Sequence, residues 1–222
     1  MSQVAENINS IKQSLPDGVR LLAVSKFHSV EKIREAYDCG HRIFGESRVQ
    51  ELCAKHPQLP ADVEWHFIGH LQSNKVRQLM PCVSVIESVD SLRLLRLIDA
   101  EAARIGKRVK VLLQVHVALE EQKFGFSTEE IEVLPSSLPK ECPNVEFCGI
   151  MAMATNTDDE HQIRDDFRRA MAAFRSLRQG AMAECENFST VSMGMSDDYQ
   201  IAIEEGSNMI RIGTTIFGER EY

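Results

Sequence analysis

Short apolar runs alternate with helical patterns along almost the whole chain. The first run, residues 21–24, is apolar at every position, which is typical of a parallel strand covered by helices on both faces. Similar runs predict seven further strands, over residues 43–44, 63–70, 83–88, 108–117, 144–153, 188–194 and 209–213. The segments between them carry helical spacing or capping residues, so the pattern predicts a series of strand–helix units.

The predicted helices have clear start and stop signals. Ser29 can cap the helix that follows the first strand, and Gly40 can end it. Ser127 and Glu130 form the pattern of a capping box at the start of another helix. The longest helix is predicted over residues 158–178, and shorter ones over residues 47–56, 73–80, 90–105 and 196–206.

Eight strand–helix units in 222 residues predict a compact α/β fold, the (β/α)8 TIM barrel, near the low end of its size range. Apolar residues at helical spacing before the first strand predict an extra N-terminal helix; they are Val4, Ile8, Ile11 and Leu15. A doubly wound parallel sheet is the structural alternative, because periodicity alone does not distinguish the two. No linker or shift in composition interrupts the pattern, so we expect a single domain over residues 1–222.

Charge and composition exclude several classes of function. The net charge is −8 and no basic stripe is present, so a nucleic-acid partner is not expected. No apolar run has transmembrane length, and the N-terminus lacks the basic start and apolar stretch of a signal peptide. We therefore expect a cytoplasmic protein without a membrane partner. Six cysteines without a C-x-x-C pair are expected to be reduced, buried thiols.

The histidines do not predict a metal site. His66 and His70 are four residues apart, but they fall in a predicted strand and the loop after it, and no H-E-x-x-H motif is present. We expect no metal, and we place His66 at the mouth of the predicted barrel.

Lys26 follows the first predicted strand directly, and its position raises a question of chemistry. In a parallel barrel, functional sites lie at the carboxyl ends of the strands. A lysine there can form a Schiff base with a carbonyl compound if burial or a nearby cation lowers the pKa of its amine. The alternative is an ordinary surface lysine at the end of a strand, because lysines are mostly exposed.

Two later loops have the features of anion-binding sites. In "SMGMSDDYQIAIEEG" a loop of small residues runs into a helix, and Ser192 and Ser196 add hydroxyl groups. The alternative is an ordinary turn with Ser196 as the helix N-cap. In "IRIGTTIFGE" Arg211 is followed by a small turn over residues 213–215. By our count these loops follow strands seven and eight, which form the recurrent phosphate site of TIM barrels.

The lysine, the arginine and the two loops are predicted to meet at one end of the barrel. That combination suits a phosphorylated aldehyde cofactor, because pyridoxal 5'-phosphate (PLP) forms a Schiff base with a lysine and pairs its ring nitrogen with an Asp or Arg. A barrel enzyme that acts on a phosphosugar through a Schiff-base lysine is a second interpretation of the same loops.

Motifs along nearly the whole chain also carry a resemblance to a known family. In chain order they are "AVSK", "FGES-x-VQE", "WHFIGHLQSNK", "LLQV", "GIMAM", "STVSMGMSDDY" and "R-I-G-x-x-IFGER". From about residue 4 to residue 222 the chain resembles the YggS/PROSC family of PLP-binding, PLP-homeostasis proteins. That family is similar to the N-terminal barrel of alanine racemase, and the phosphosugar interpretation does not account for these motifs.

The resemblance implies roles for individual residues. Lys26 would hold PLP as a Schiff base, and Arg211 would face the ring nitrogen of the cofactor. The residues implied to hold the phosphate are Ser192, Met193, Gly213 and Thr214. Two positions depart from the commoner family pattern, which has Asn where this chain has Ser47 and His116. If either amide contacts the cofactor in relatives, that contact is altered here.

The residues leave two interpretations of activity, a PLP carrier or regulator and a PLP-dependent amino-acid racemase. An arginine at the ring nitrogen disfavours its protonation, which weakens the ring as an electron sink. Racemisation also needs acid/base groups on both faces of the substrate carbon, and Lys26 serves only one. In alanine racemases the second group is a tyrosine of a C-terminal β-domain, which we do not find in this chain. None of Tyr37, Tyr199 and Tyr222 lies in a comparable motif.

We therefore expect a non-catalytic protein of PLP (vitamin B6) homeostasis, with no catalytic residues. Its expected partners are PLP itself and PLP-dependent apoenzymes. A monomer is expected, because no site residue has to come from a second subunit.

Overall fold

The computed structural model describes residues 2–120 and 124–219. In these residues eight parallel strands pair in sequence order, and the last strand pairs with the first to close a barrel. The strands are β1 (Arg20–Val24), β2 (Ile43–Glu46), β3 (Glu64–Phe67), β4 (Val85–Val89), β5 (Val109–Val115), β6 (Val145–Ala152), β7 (Thr190–Ser192) and β8 (Met209–Ile212). This topology confirms the predicted (β/α)8 TIM barrel and excludes the doubly wound sheet.

Helices of the same described residues connect the strands. They are α1 (Gln3–Ser14), α2 (Val30–Asp38), α3 (Val49–Lys55), α4 (Val76–Leu79), α5 (Leu92–Arg104), α6 (Thr128–Glu132), α7 (Leu138–Glu141), α8 (Glu160–Gln179), α9 (Tyr199–Glu204) and α10 (Thr214–Phe217), with short 3-10 turns at His56–Gln58 and Ser73–Lys75. Helix α1 precedes β1, as the apolar spacing predicted. Ser29 caps α2, and the predicted capping box of Ser127 and Glu130 starts α6.

Several elements differ from the prediction in ways that affect the barrel mouth. Strand β3 ends at Phe67, so the next residues belong to a loop. Helix α9 begins at Tyr199 with Asp198 as its N-cap, and Ser196 therefore does not cap it. Helices α7 and α10 were not predicted, because elements of four residues are too short to show a helical period. Helix α10 stands where a turn was expected.

Alternate residues of a strand face opposite sides of the barrel wall. In β1, Leu21 and Ala23 pack in the main apolar core, between the barrel and its helices. Leu22 and Val24 belong to a separate small cluster with Met209, inside the barrel. The other strands alternate in the same way, except that a register shift opposite Val111 and Leu112 interrupts the pattern in β6, where Phe147 and Ile150 both pack in the main core.

The barrel interior is more polar than uninterrupted apolar runs predict. His66, Glu87, Ser192 and Arg211 lie inside the barrel, and none of them is more than 4% exposed. Barrel interiors are usually filled by branched apolar side chains. The prediction that the strands are apolar on both faces is therefore wrong for the layer that these four residues form.

A cavity of about 440 Å³ opens at each end of the barrel. We call the one at the carboxyl ends of the strands the mouth cavity and the one at the amino ends the foot cavity. Arg20, Glu64, Lys110 and Glu146 line the foot cavity, and so does His66. The prediction that His66 lies at the mouth is therefore wrong: its ring points towards the start of β3.

The cysteines are less buried than expected. All six carry free thiols, but only Cys142 is buried and the other five are half-buried. Between residues 2 and 219, leaving out 121–123, no helix is both long enough and apolar enough to cross a membrane. The described residues also hold no group of three or more His, Cys, Asp or Glu side chains placed to bind a metal ion.

Candidate functional site

The mouth cavity brings together most of the residues that the sequence singles out. Its lining includes Lys26 after β1, Arg211 in β8, and Gly213 with Thr214 at the start of α10. Ser196, from the loop after β7, adds a hydroxyl group. Apolar side chains from β1 and the ends of β3 and β6 complete the wall. An amine, a guanidinium group and hydroxyl groups thus share one pocket.

The main chain on both sides of Lys26 is held by two side chains of α3. Lys55 of α3 donates from Nζ to the Ser25 carbonyl oxygen at 2.9 Å. The Phe27 amide donates to Glu51 Oε1 at 2.6 Å. Phe27 has a φ of 67°, an uncommon conformation for a residue with a side chain. Lys26 therefore projects from a backbone that its neighbours fix on either side, and its own side chain is half-buried.

Lys55 also joins two carboxylates beneath this segment. Its Nζ lies 2.8 Å from Glu46 Oε1 and 2.7 Å from Glu51 Oε1. The Ser25 hydroxyl donates to the same Glu46 oxygen at 2.6 Å, while Glu46 Oε2 is buried with no hydrogen-bond partner. Burial raises the pKa of Glu46 to about 7, against the lowering effect of Lys55. A buried group at this position thus titrates near neutral pH.

Arg211 is fixed at the base of the mouth cavity. Its Nη1 donates to the Ser192 carbonyl at 2.7 Å and to the Ser192 hydroxyl at 2.8 Å, and its Nη2 donates to the Ala152 carbonyl at 2.9 Å. Burial lowers the pKa of Arg211, and the charges of Glu87 and Asp198 oppose that effect. These bonds hold the guanidinium plane against the ends of β6 and β7.

Gly213 lets α10 start close to β1. A Cβ atom at Gly213 would lie 3.2 Å from the Val24 carbonyl oxygen and 3.3 Å from Val24 Cβ, which is tighter than most contacts of that kind. The first turn of a helix leaves main-chain N–H groups without intrahelical partners. The start of α10, with the Thr214 hydroxyl, therefore faces the cavity with hydrogen-bond donors that suit an anion.

The loop after β7 is shaped by its own acidic residues. Asp198 accepts a hydrogen bond from the Met195 amide at 2.5 Å, and burial raises the pKa of Asp198. Ser196 and the exposed Asp197 lie within this turn and line the mouth cavity. Ser196 is thus the hydroxyl group that this loop offers.

The structure does not bring Ser192 and Met193 to the cavity lining. The Ser192 side chain is fully buried, donates to Glu87 Oε2 at 2.6 Å and accepts from Arg211. Met193 is also fully buried, and its amide donates to the Met209 carbonyl at 3.1 Å. The phosphate role that the resemblance implies for these two side chains is not supported by their contacts. Within the same loop, Ser196 is the hydroxyl group that lines the mouth cavity.

The two positions that depart from the family pattern differ in location. Ser47 lines the mouth cavity, next to the end of β2. His116 is half-buried beyond β5, and its Nε2 lies 3.0 Å from the Glu120 carbonyl oxygen. Of the two departures, only Ser47 therefore changes the surface of the cavity.

Comparisons with known proteins agree with this geometry. The family model described as alanine racemase, N-terminal domain, matches residues 1–221. A pyridoxal phosphate homeostasis protein of Aquifex aeolicus is 39% identical over 100% of this chain and 97% of its own length. The protein of that name from Homo sapiens is 38% identical over 91% of this chain and 77% of its own length.

Solved structures of a related protein also match this chain over most of its length. PipY of Synechococcus elongatus is 36% identical, and the match covers 97% of this chain and 100% of PipY. The TM-score is 0.89 for PipY without PLP and 0.85 for PipY with PLP bound. This chain therefore belongs to the alanine racemase N-terminal domain family, among the members named pyridoxal phosphate homeostasis proteins.

Proposed function

We propose that this protein binds PLP in its mouth cavity and serves PLP homeostasis, holding the cofactor without catalytic turnover. The observation that carries the proposal is the presence of Lys26 and Arg211 in one pocket with the start of α10. The relatives named above are PLP homeostasis proteins, and PipY has been solved with PLP bound. Both findings support the same cofactor.

The chemistry of the lining fits the three polar parts of PLP. Its aldehyde needs an amine, and Lys26 supplies one. Its ring nitrogen pairs with a charged side chain, and Arg211 is the cation fixed at the base of the pocket. Its phosphate suits the N–H groups and hydroxyl at Gly213 and Thr214, where a side chain at Gly213 would close the approach. A volume of about 440 Å³ is also within the usual range for a cofactor pocket.

The residues of the pocket would have different roles towards the cofactor. Bound PLP supplies an electron sink when its ring nitrogen is protonated. Lys26 Nζ would form a C=N bond with the aldehyde carbon, and one water would leave. Arg211 has only donors, so it pairs with an unprotonated nitrogen and keeps the ring in the weaker electron-sink form. The pocket would thus fix the cofactor covalently while limiting its reactivity.

The positions of the tyrosines support the absence of turnover. The Tyr37 hydroxyl donates to Asp62 Oδ1 at 2.7 Å, on the outside of the barrel. Tyr199 packs against the main core from α9, and Tyr222 lies outside the described residues. Neither described tyrosine lines the mouth cavity, which is where a second acid/base group for racemisation would be needed.

A racemase assay separates the carrier from the alternative. PLP-loaded protein is incubated with L- and D-amino acids in deuterated water. We expect deuterium at Cα to appear no faster than with free PLP. Exchange or loss of chirality well above that rate would show an enzyme and overturn the non-catalytic part of the proposal.

Covalent capture tests the cofactor itself. The purified protein should be yellow with PLP, and borohydride should fix one PLP on the peptide that carries Lys26. Lys26→Ala should lose that mass, whereas Lys140→Ala, at an exposed lysine, should keep it. A colourless wild-type protein with no cofactor mass on that peptide would overturn PLP binding.

The homeostasis role and its partners need a test in cells. The expected recipients are PLP-dependent apoenzymes in the cytoplasm. A deletion strain should show disturbed vitamin B6 pools and amino-acid levels, restored by the wild-type gene and not by Lys26→Ala. Normal pools in the deletion strain would contradict the role in homeostasis while leaving PLP binding intact.

A further inference from the structure

A chain of polar side chains, all buried except the half-buried Glu64 at its end, crosses the barrel from the mouth cavity to the foot cavity. Arg211 Nη1 donates to the Ser192 hydroxyl at 2.8 Å, and that hydroxyl donates to Glu87 Oε2 at 2.6 Å. Glu87 Oε1 lies 2.5 Å from His66 Nδ1, and His66 Nε2 lies 3.3 Å from Glu64 Oε1. Four strands, β3, β4, β7 and β8, thus contribute to one connected row.

The charges in this row depend on one another. Burial acts to raise the pKa of Glu87, but hydrogen bonds and charges from His66, Arg211 and Ser192 outweigh it and hold that pKa below its usual value. Burial also acts to lower the pKa of His66, but Glu64 and Glu87 outweigh it and raise that pKa. Glu87 therefore lies between His66 and the guanidinium group of Arg211 in the barrel interior, and both neighbours favour its charged form.

The fold alone does not require these side chains. Nearby interior positions are apolar, as Leu22, Val85 and Leu112 show. Burying charged groups is costly unless each has partners, and well-packed apolar residues commonly stabilise an interior as well or better. The row is therefore better explained by its effect on Arg211, which lines the mouth cavity.

We propose that Glu87, Ser192 and His66 are positioning residues that orient Arg211 for the ring nitrogen of bound PLP. This inference rests on the proposed function. The Ser192 hydroxyl is the link, because it accepts from Arg211 and donates to Glu87 at the same time. His66 holds the other oxygen of Glu87 and so fixes the rotation of the carboxylate. Ser192 thus acts on the ring end of the cofactor and not on its phosphate.

The proposal predicts which property of the complex changes. The hydrogen bonds of the row fix Arg211 and not the C=N bond that Lys26 would form, so covalent capture of PLP should survive when the row is cut. The environment of the PLP ring should change. Arg211 keeps its hydrogen bonds to two main-chain carbonyls, but its third hydrogen bond, to the Ser192 hydroxyl, is lost or no longer held in place by Glu87. The absorption band of bound PLP and the rate of PLP release report that environment.

The test uses Glu87→Gln and Ser192→Ala, with Glu87→Asp as the conservative variant. The matched control is Asp166→Asn, since Asp166 is an equally buried carboxylate that bonds Thr155 and Arg169 outside the row. Each protein is loaded with PLP. Its absorption maximum, the pH titration of that band and the PLP release rate are then measured, and borohydride fixation is counted on a parallel sample.

We expect Glu87→Gln and Ser192→Ala to keep one PLP on Lys26 and to shift the absorption band and its pH titration. Both variants should release PLP at least about tenfold faster than wild type, because that is the scale of a lost charge-assisted hydrogen bond. Glu87→Asp should restore part of the wild-type values, and Asp166→Asn should match wild type. Folded Glu87→Gln and Ser192→Ala proteins with wild-type spectra and release rates would overturn the inference. Because Ser192→Ala removes only one oxygen atom, it keeps the test open if Glu87→Gln does not fold.

A readout without cofactor separates this inference from the proposed function. In the PLP-free protein, NMR should show the Arg211 guanidinium N–H signals protected from exchange, and Ser192→Ala should shift them and reduce that protection. Failure of wild-type protein to capture PLP would overturn the proposed function. Unchanged Arg211 signals in Ser192→Ala would overturn the positioning role, whatever the cofactor.

Discussion

The two ends of the barrel use their polar side chains differently, although each encloses about 440 Å³. At the foot, side chains bond one another: Arg20 Nη2 donates to Thr190 Oγ1 at 3.2 Å, and Asn187 Nδ2 donates to Glu146 Oε1 at 2.7 Å. At the mouth, Arg211 bonds main-chain carbonyls of two strand ends in addition to the Ser192 hydroxyl. Groups that satisfy each other stabilise a fold, whereas groups fixed by the backbone are preorganised to meet a ligand.

The largest difference between the ends should appear when one arginine is removed from each. Arg211→Met should raise the Kd for PLP by about tenfold to a hundredfold, because a hydrogen bond to a charged group contributes about 1.5–3 kcal/mol. Arg20→Met, at the foot, should leave the Kd within about twofold. Absorbance titration with PLP measures both values.

Arg211→Met also removes a positive charge that helps to hold the pKa of Glu87 low, so a fall in Tm is expected. Arg211→Lys keeps the charge and serves as the folded comparison. Equal Kd values for Arg211→Met and Arg20→Met in folded proteins would remove the distinction between the two cavities.

A smaller contrast should come from glycines at the two ends. Gly213→Val should raise the Kd for PLP by about tenfold, because its side chain must press on the Val24 main chain or fill the phosphate approach. Gly18 lines the foot cavity, has open space around it and a φ of 86°. Gly18→Ala should lower Tm slightly through backbone strain and leave the Kd unchanged. Calorimetry with and without PLP checks both, and a Kd that rises only in Gly18→Ala would reverse the assignment of the ends.

Carboxylates near the two ends should give opposite pH dependence of stability. Glu46 has a pKa raised to about 7, so its contribution is complete below about 4.5 and is lost as pH rises through 7. Over that range, wild type should lose up to roughly 3 kcal/mol relative to Glu46→Gln. Urea unfolding at pH 5 and pH 8 measures the difference, and parallel curves would contradict the raised pKa.

Glu64 at the foot should behave in the reverse direction. Its hydrogen bond to His66 is the main cause that lowers its pKa, so its contribution is present above about 4.5 and is lost as pH falls below that value. Glu64→Gln should therefore lose less stability than wild type on acidification. The same urea series extended to pH 3.5 checks this, and a change confined to the range above pH 5 would contradict it.

The smallest effect is expected at the two departures from the family pattern. Ser47→Asn should change the Kd for PLP by about twofold to fivefold, because only this position lines the mouth cavity. His116→Asn should leave it unchanged, since the His116 ring contacts the Glu120 carbonyl. A larger effect at His116 would show that the cofactor reaches beyond the cavity described here.

The fold could be predicted because its signal is local. Buried parallel strands are apolar at consecutive positions, and Lys26, Arg211 and Gly213 stand at or just after the ends of such runs. The end of a strand in a barrel is also the place where sites form. Their positions therefore followed from the sequence, while their roles towards PLP stay predictions.

The polar interior could not be predicted, because its partners are far apart in sequence. Glu87 lies within an apolar run, and its partner Ser192 is 105 residues away. Nothing in the loop around Ser192 shows that its hydroxyl is taken by a carboxylate across the barrel. The contact of Glu46 with Lys55 under Lys26 was missed for a different reason, because acidic residues at strand ends are usually solvated.

His66 shows the limit of periodicity. Alternation along β3 predicts that the His66 side chain lies inside the barrel. It does not predict at which end, and in the structure His66 lines the foot cavity. Ser196 shows a different limit, because a serine before a helix has the pattern of an N-cap, but the N-cap position here is Asp198, whose side chain makes no capping hydrogen bond. The error at His66 and the choice left open at Ser196 both concern where a side chain points and not which element carries it.

A crystal structure of the PLP-loaded protein tests the central claim most directly. We expect density for PLP in the mouth cavity, continuous with Lys26 Nζ, with the ring nitrogen within hydrogen-bond distance of Arg211 and the phosphate at Gly213 and Thr214. The foot cavity should hold no cofactor. Density for PLP at the foot, or a phosphate placed against Arg211 with the ring turned away, would contradict the account.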